Sequence, residues 1–160
     1  GENLQYLVRE CHGRPVACLL FGAAAWQCAD RDGHIGWDAA TRTERLHLLT
    51  NNTRFLILPW VRVPHLASHV LSRVVRRVGS DWQRKYGHPI YLLETFIDRD
   101  RFAGTCYRAA NWLRVGQTKG RTRQDSPEGK RQQAAIKEIY LYPLHPRFAE
   151  RLRGSPSPPP

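Results

Sequence analysis

The sequence predicts an α/β domain, with a mixed sheet of about five strands built on a central βαβ unit in a three-layer core. Three observations carry this reading. Two runs of strand-forming residues, 53–60 and 89–97, flank the clearest amphipathic helix in the chain, 64–86. A helix joining two strands makes them parallel neighbours in a right-handed crossover, because the chain must return across one sheet face. The chain has 160 residues, 41% hydrophobic and 24% charged, which suits one folded domain over residues 1–150.

Residues 4–10 read as a short segment, either strand or helix end. Residues 15–22, bounded by Pro15 and Gly22, read as a buried strand. Asp30 to Gly33 form a turn cluster, and Asp38 is placed to cap a helix running to Leu49. Asn51 and Asn52 end that helix, and Pro59 closes the strand after it, since proline donates nothing to a ladder. In the 64–86 helix, Leu66, Val70, Leu71, Val74, Val75 and Val78 recur at threes and fours, opposite His69, Arg73, Arg76, Arg77 and Ser80. Gly87 is well placed to end it. A short helix over 101–110, a basic loop over 116–123, a polar connection over 124–133 and a last strand over 137–142 complete the fold. From Gly154 the chain is only Ser and Pro, and residues 154–160 read as a disordered tail.

Charge narrows the function. The 25 Lys and Arg against 14 Asp and Glu leave a formal charge of +11. Residues 66–87 and 99–131 together hold ten of those eleven net charges. Such concentration points to an anionic partner, and nucleic acid is the commonest one in the cytoplasm. No apolar run approaches the roughly 20 residues of a membrane span, so no membrane partner is expected. The chain has no Met and starts without a signal-peptide pattern, so it reads as a cytoplasmic fragment lacking upstream residues. Its four sparse cysteines read as reduced thiols.

Two resemblances follow from particular residues. The strings Asn51-Asn-Thr-Arg-Phe-Leu-Ile-Leu-Pro-Trp-Val-Arg-Val-Pro64, Leu93-Glu-Thr-Phe96, Gly104-Thr-Cys-Tyr-Arg-Ala-Ala-Asn-Trp112 and Gly116-Gln-Thr-Lys-Gly-Arg121 resemble the DruA-like family, named for the Druantia anti-phage system. That resemblance implies a bacterial DNA-associated module of phage defence or of a transposase-linked mobile element, and it supplies no reaction. Residues 53–119 are also similar to the core of GNAT acyltransferases, in which a Tyr followed by Gly and an aromatic ends the corresponding helix. Here the pattern is Tyr107-x-x-x-Asn111-Trp112, with Asn tolerating the left-handed backbone that Gly would adopt. The resemblance implies that Tyr107 could act as general acid toward a departing thiolate. The chain departs from GNAT enzymes before the long helix. There Arg62-Val-Pro-His-Leu-Ala67 has no glycine, and Pro64 lacks the N–H that would help hold a pyrophosphate. No cofactor is therefore assigned.

The remaining candidates are weighed against simpler roles. Glu94 could serve as general base in an acyl transfer with Tyr107 as acid, or could pair with a nearby Arg. Cys106 could be an activated thiol beside Arg108, or an inert core cysteine. Asp81, Glu94, Asp98 and Asp100 are the carboxylates a metal-dependent nuclease would need. Cys11, His12, Cys18, Cys28 and His34 contain no C-x-x-C pair, so no metal site is assigned. Trp112 could stack on a base or lie in the core, and Trp26, Trp37, Trp60 and Trp82 read as core or groove walls. The phosphate contacts are assigned to Arg62, Arg73, Arg76, Arg77, Lys119, Arg121 and Arg123, because Lys and Arg neutralise backbone phosphates. A third reading, a structural partner domain for a transposase or helicase, predicts an exposed apolar patch.

Overall fold

In the computed structural model the described residues are 1–100, 104–120 and 135–154. Arg121 and Arg123, the 124–133 connection and most of the proline-rich tail lie outside them. Among the described residues six strands, one more than expected, form a single sheet. They are β1 (Leu4–Arg9), β2 (Pro15–Ala23), β3 (Leu49–Ile57), β4 (Leu92–Asp98), β5 (Leu113–Gln117) and β6 (Lys137–Pro143), in spatial order β1-β2-β3-β4-β6-β5. The β3–β4 pair is parallel, as the connecting helix requires, and every other neighbour is antiparallel.

Alternating residues on the central strands serve two cores. Leu93, Ile97 and Tyr140 face one layer, formed by α3 (Leu66–Val75), α4 (Val78–Tyr86) and α5 (Thr105–Ala109). Leu92, Ile139 and Leu141 face the other, formed by α1 (Ala29–Ile35), α2 (Ala39–Arg45) and α6 (Phe148–Arg153). A two-residue period buried on both faces is what a helix–sheet–helix sandwich demands. The α3–α4–α5 layer covers the β1–β2–β3 end of the sheet, burying Ala17 there, but the α1–α2–α6 layer leaves the opposite face of that end open. There Leu7, Cys18 and Leu56 pair in a row across β1, β2 and β3, and Leu7 and Leu56 are 55% and 50% exposed.

Several elements differ from the sequence reading. Residues 30–33 form part of α1 and not a turn, because Arg31 and Ile35 are buried. Asp30 and Asp32 lie in the first turn, where the helix dipole favours acids, and Gly36 closes the helix in the left-handed region. Asp38 does cap α2, accepting from the Thr41 amide at 2.8 Å, but that helix ends at Arg45. Asn51 and Asn52 therefore sit inside β3, where pairing with β2 and β4 overrides their turn preference. The long helix breaks at Arg76 and Arg77. The Arg77 amide bonds Val74 in a tight turn, and the Arg77 Nε reaches Asp81 in α4 at 2.9 Å. Gly87 ends α4 with φ 76°, as expected. Part of the basic loop is strand β5, whose alternation is masked by a bulge between Arg114 and Gly116. At Gly116 a Cβ would collide with the Asp30 carboxylate of α1. Helix α6 had no counterpart in the sequence reading.

Candidate nucleic-acid interface

The sheet divides the helical charge unequally. On one side α3, α4, α5 and the α3–α4 link carry Arg73, Arg76, Arg77, Arg84, Lys85 and Arg108 against the single acid Asp81. On the other side α1, α2 and α6 carry Arg31, Arg42, Arg45, Arg151 and Arg153 against Asp30, Asp32, Glu44 and Glu150. The first layer is thus strongly basic and the second nearly neutral. Local helix chemistry accounts for this. Val70, Leu71, Val74, Val75 and Val78 claim the core face, which leaves Arg73, Arg76 and Arg77 exposed.

Asp81 anchors this layer to the sheet. It accepts from the Tyr6 hydroxyl at 2.7 Å, from Arg77 Nε at 2.9 Å and from Arg84 Nη1 at 3.3 Å. Burial alone would raise its pKa, but the bonds from Arg77 and Tyr6 outweigh that and hold it below the usual carboxylate range. Burial and the Asp81 bond push the Tyr6 phenol well up.

The assigned phosphate contacts that lie among the described residues do not form one surface. Arg73, Arg76 and Arg77 lie together on the basic layer. Arg62 folds onto its own loop, donating to the carbonyls of Pro59 at 2.6 Å and Val61 at 3.1 Å. Lys119 lines a cleft against α1, on the opposite side of the sheet. Arg121 and Arg123 lie outside the described residues.

The two assigned catalytic residues also lie apart, on opposite sheet faces. Tyr107 belongs to the core of the basic layer, edge-on to Trp112 and Phe55, and donates to Asn52 Oδ1 at 2.6 Å. Burial pushes its phenol well up, so its proton is held. Glu94 faces the other layer and is fully buried. It accepts from Arg31 Nη1 and from the Ala25 amide, each at 2.7 Å, so the Arg pairing weighed from sequence is the arrangement found. Burial raises the Glu94 pKa, with Arg31 and the Ala25 amide pulling against it. The base-and-acid pairing therefore does not assemble in this fold.

Two residues that organise this centre were missed from sequence. Arg31, hidden in what read as a turn, also donates to the Ala25 carbonyl and meets Asp32 at 3.0 Å. Asn52 is 3% exposed and lies where β3 and β4 part. The two strands pair only at Leu49–Leu92, Thr50–Leu93 and Asn51–Glu94. Beyond that point the Asn52 carbonyl accepts from Thr95 Oγ1 at 2.9 Å, and its amide donates to Leu20 and Arg54 carbonyls. With the Tyr107 bond, these contacts fill the point of the wedge. The only available signal was the Asn-Asn pair itself, which reads equally as a turn.

Other candidates resolve into structural roles. Burial raises the thiol pKa of Cys106, which leaves the thiol unactivated. Asp98 accepts from the Asp100 amide at 3.0 Å, while Asp81 and Glu94 serve different layers, so the four acids do not converge. Glu10, Cys11 and His12 approach one another at the exposed β1–β2 turn, where Glu10 already accepts the Arg14 amide. Trp37, Trp82 and Trp112 are core residues, whereas Trp26 and Trp60 are 54% and 59% exposed. Asn111 has φ 68°, in the left-handed region expected for it. Among the described residues no helix is long and apolar enough to cross a membrane.

A sheet of this order, with a parallel pair diverging at its centre and helices on both faces, is the fold of GNAT acetyltransferases. A Vibrio cholerae spermidine N-acetyltransferase, solved with CoA and spermine, superposes with a TM-score of 0.56 at 7% identity, over 89% of this chain and 66% of that one. A Sinorhizobium meliloti phosphinothricin acetyltransferase of the GNAT superfamily, solved with AcCoA, superposes at 0.53 and 13% identity, over 88% of this chain and 60% of that one. The chain thus spans about two thirds of the length of these structures, and the likeness is one of fold. The chain belongs to the family of the Druantia protein DruA, whose family model matches residues 1–130. No curated protein matches the sequence.

Proposed function

We propose that this domain is a DNA-associated module of an anti-phage or mobile-element protein, holding nucleic-acid phosphates on its α3–α4–α5 layer. The observation that carries this reading is the separation of a layer with six basic residues and one acid from a nearly neutral layer across the sheet. Arg73 and Arg76 are exposed and meet no carboxylate among the described residues, so their charge is available to phosphates. Arg77 shares Asp81 with Arg84 and stands at the break between α3 and α4.

The test is fluorescence anisotropy with labelled single- and double-stranded DNA across a salt series. Each duplex phosphate neutralised contributes about 0.9 to the slope of log K against log salt. Changing Arg73, Arg76 and Arg77 together to Ala should flatten that slope by about two to three. An unchanged slope refutes the assignment. Flat DNA curves beside a clear thermal shift with acetyl-CoA would favour an acyltransferase reading instead.

The open row Leu7, Cys18 and Leu56 favours a second reading, in which the sheet end docks a transposase or helicase partner. Arg9 and Arg54 flank this row, so the contact surface it suits is apolar and edged with carboxylates. Changing Leu7 and Leu56 to Lys should then abolish binding of such a partner and leave DNA binding intact.

A further inference from the structure

On the face opposite the basic layer, α1 and the ends of β4, β5 and β6 border an open cleft of about 540 Å³. That is within the usual span of small-molecule sites, about 300–1,000 Å³. Three kinds of group line it. Phe96 and Ile139 form an apolar floor, Gln27 and Gln117 present amides, and Lys119 and Lys137 present ammonium groups. Neither lysine meets a carboxylate among the described residues.

Of the two acids that share the cleft, Asp32 is fully engaged. Asp32 accepts from Trp37 Nε1 at 2.8 Å, from Arg31 Nε at 3.1 Å and from Arg42 Nη1 at 3.1 Å, so both its oxygens are taken. Burial alone would raise the Asp32 pKa, but these donors outweigh it and the carboxyl is held below its usual range. Asp30 accepts the Gln117 backbone amide at 3.0 Å through Oδ2 and keeps its charge at the cleft wall. Arg42 also lines the cleft, with its Nε buried and unbonded and its guanidinium 5.6 Å from the exposed Trp26 ring. The lining carries three cationic groups, Arg42, Lys119 and Lys137, against the two carboxylates Asp30 and Asp32, and Arg42 is the one that pairs with Asp32. An apolar floor, amide edges and two ammonium groups that meet no carboxylate among the described residues are complementary to a flat polar ring carrying a phosphate.

We propose that this cleft binds a nucleotide. Lys119 and Lys137 hold its phosphate, Phe96 packs against the face of the base, and the Gln27 and Gln117 amides meet the base edge. The same chemistry is offered by a free nucleoside monophosphate and by an unstacked residue of a nucleic-acid strand. This site is separate from the phosphate contacts assigned to Arg73, Arg76 and Arg77, which lie beyond the sheet.

Calorimetric titration of the whole chain with the four ribonucleoside 5′-monophosphates tests the assignment, with ribose 5-phosphate and inorganic phosphate as probes lacking the base. At least one monophosphate should bind about tenfold tighter than ribose 5-phosphate. Lys119→Ala with Lys137→Ala should weaken it about tenfold or more. Both lysines are exposed, so the fold should survive, and the melting temperature verifies that it does. The Arg73, Arg76 and Arg77 variant should bind the monophosphate unchanged, so failure of the DNA assignment and failure of this one are read separately. A short 5′-phosphorylated oligonucleotide binding tighter than the monophosphate identifies a strand as the source, and weaker binding identifies the free nucleotide. No binding of any monophosphate at millimolar concentration overturns the proposal. So does inorganic phosphate binding as tightly as the nucleotide, or a lysine variant that binds like the wild type.

Discussion

The contact between Arg31 and Glu94 ties helix α1 to the central strand β4, and its removal should be costly in a particular pattern. Both side chains are fully buried, 2.7 Å apart. Breaking a buried ion pair by removing one partner costs about 3–5 kcal/mol, because the charge left behind keeps its desolvation penalty. Glu94→Leu strands the Ala25 amide and takes from the Arg31 guanidinium its fully buried partner, leaving it Asp32 and the Ala25 carbonyl. Arg31→Met strands the carboxylate and the Ala25 carbonyl. For a domain of this size each kcal/mol lowers the melting temperature by about 2–4 °C, so each single change should lower it by about 6–20 °C. The double variant leaves no buried charge at this contact, and only the two Ala25 backbone groups lack partners, at about 1–3 kcal/mol each. It should therefore cost no more than the worse single change, with a coupling of at least about 2 kcal/mol. Urea unfolding followed by circular dichroism and Trp fluorescence, on wild type and all three variants, measures this cycle. Additive costs, or a single change costing less than about 1 kcal/mol, would refute the view that the pair acts as one buried unit.

Other expectations are open to simpler measurements. Asp81→Asn should destabilise the protein at neutral pH. Since the folded-state pKa of Asp81 is lowered, its contribution is present above the unfolded carboxyl value of about 3.9 and lost as pH falls through the folded value. The gap in stability between wild type and variant should therefore close in acid, and a gap constant from pH 7 to pH 2 would contradict the role given to its ionised form. Gly116→Ala should destabilise the fold, because its Cβ would meet the Asp30 carboxylate and push α1 off β5. An unchanged melting temperature would show that α1 yields without cost. Val74→Asp places a carboxylate at a position 5% exposed in the core and should cost several kcal/mol, read as loss of cooperative unfolding. Leu7→Lys with Leu56→Lys should leave the melting temperature nearly unchanged and reduce binding of a hydrophobic dye, since both leucines are half exposed.

The parallel β3–β4 crossover, the basic face of the long helical region and the Gly87 and Asp38 caps were all readable in the chain. Each depends on residues close in sequence, namely an apolar period, a capping side chain or a turn-forming glycine. The strings that resemble the DruA-like family are local in the same way, and the family match over residues 1–130 bears them out. Strand β5 and the true start of β3 were not readable. A bulge at one and an Asn-Asn pair at the other hide the alternation that marks a strand, and only the neighbouring strands pull these residues into the ladder.

The candidate sites depended still more on the folded chain. Glu94 and Tyr107 both read as polar residues of a central βα segment. Their placement on opposite faces follows from the strand's two-residue period and from how α5 folds back. Nothing local marks Arg31 as buried, since a guanidinium enters a core only where carboxylates from elsewhere wait for it, here Glu94, 63 residues further on. Lys119 and Arg73 belong to one positive charge in the composition, yet the sheet between them makes two separate surfaces. Composition and periodicity are sums over neighbours along the chain, and they carry the class of fold and the sign of the charge. Which charges face which cavity is set by pairings across tens of residues, and these exist only once the chain has closed on itself.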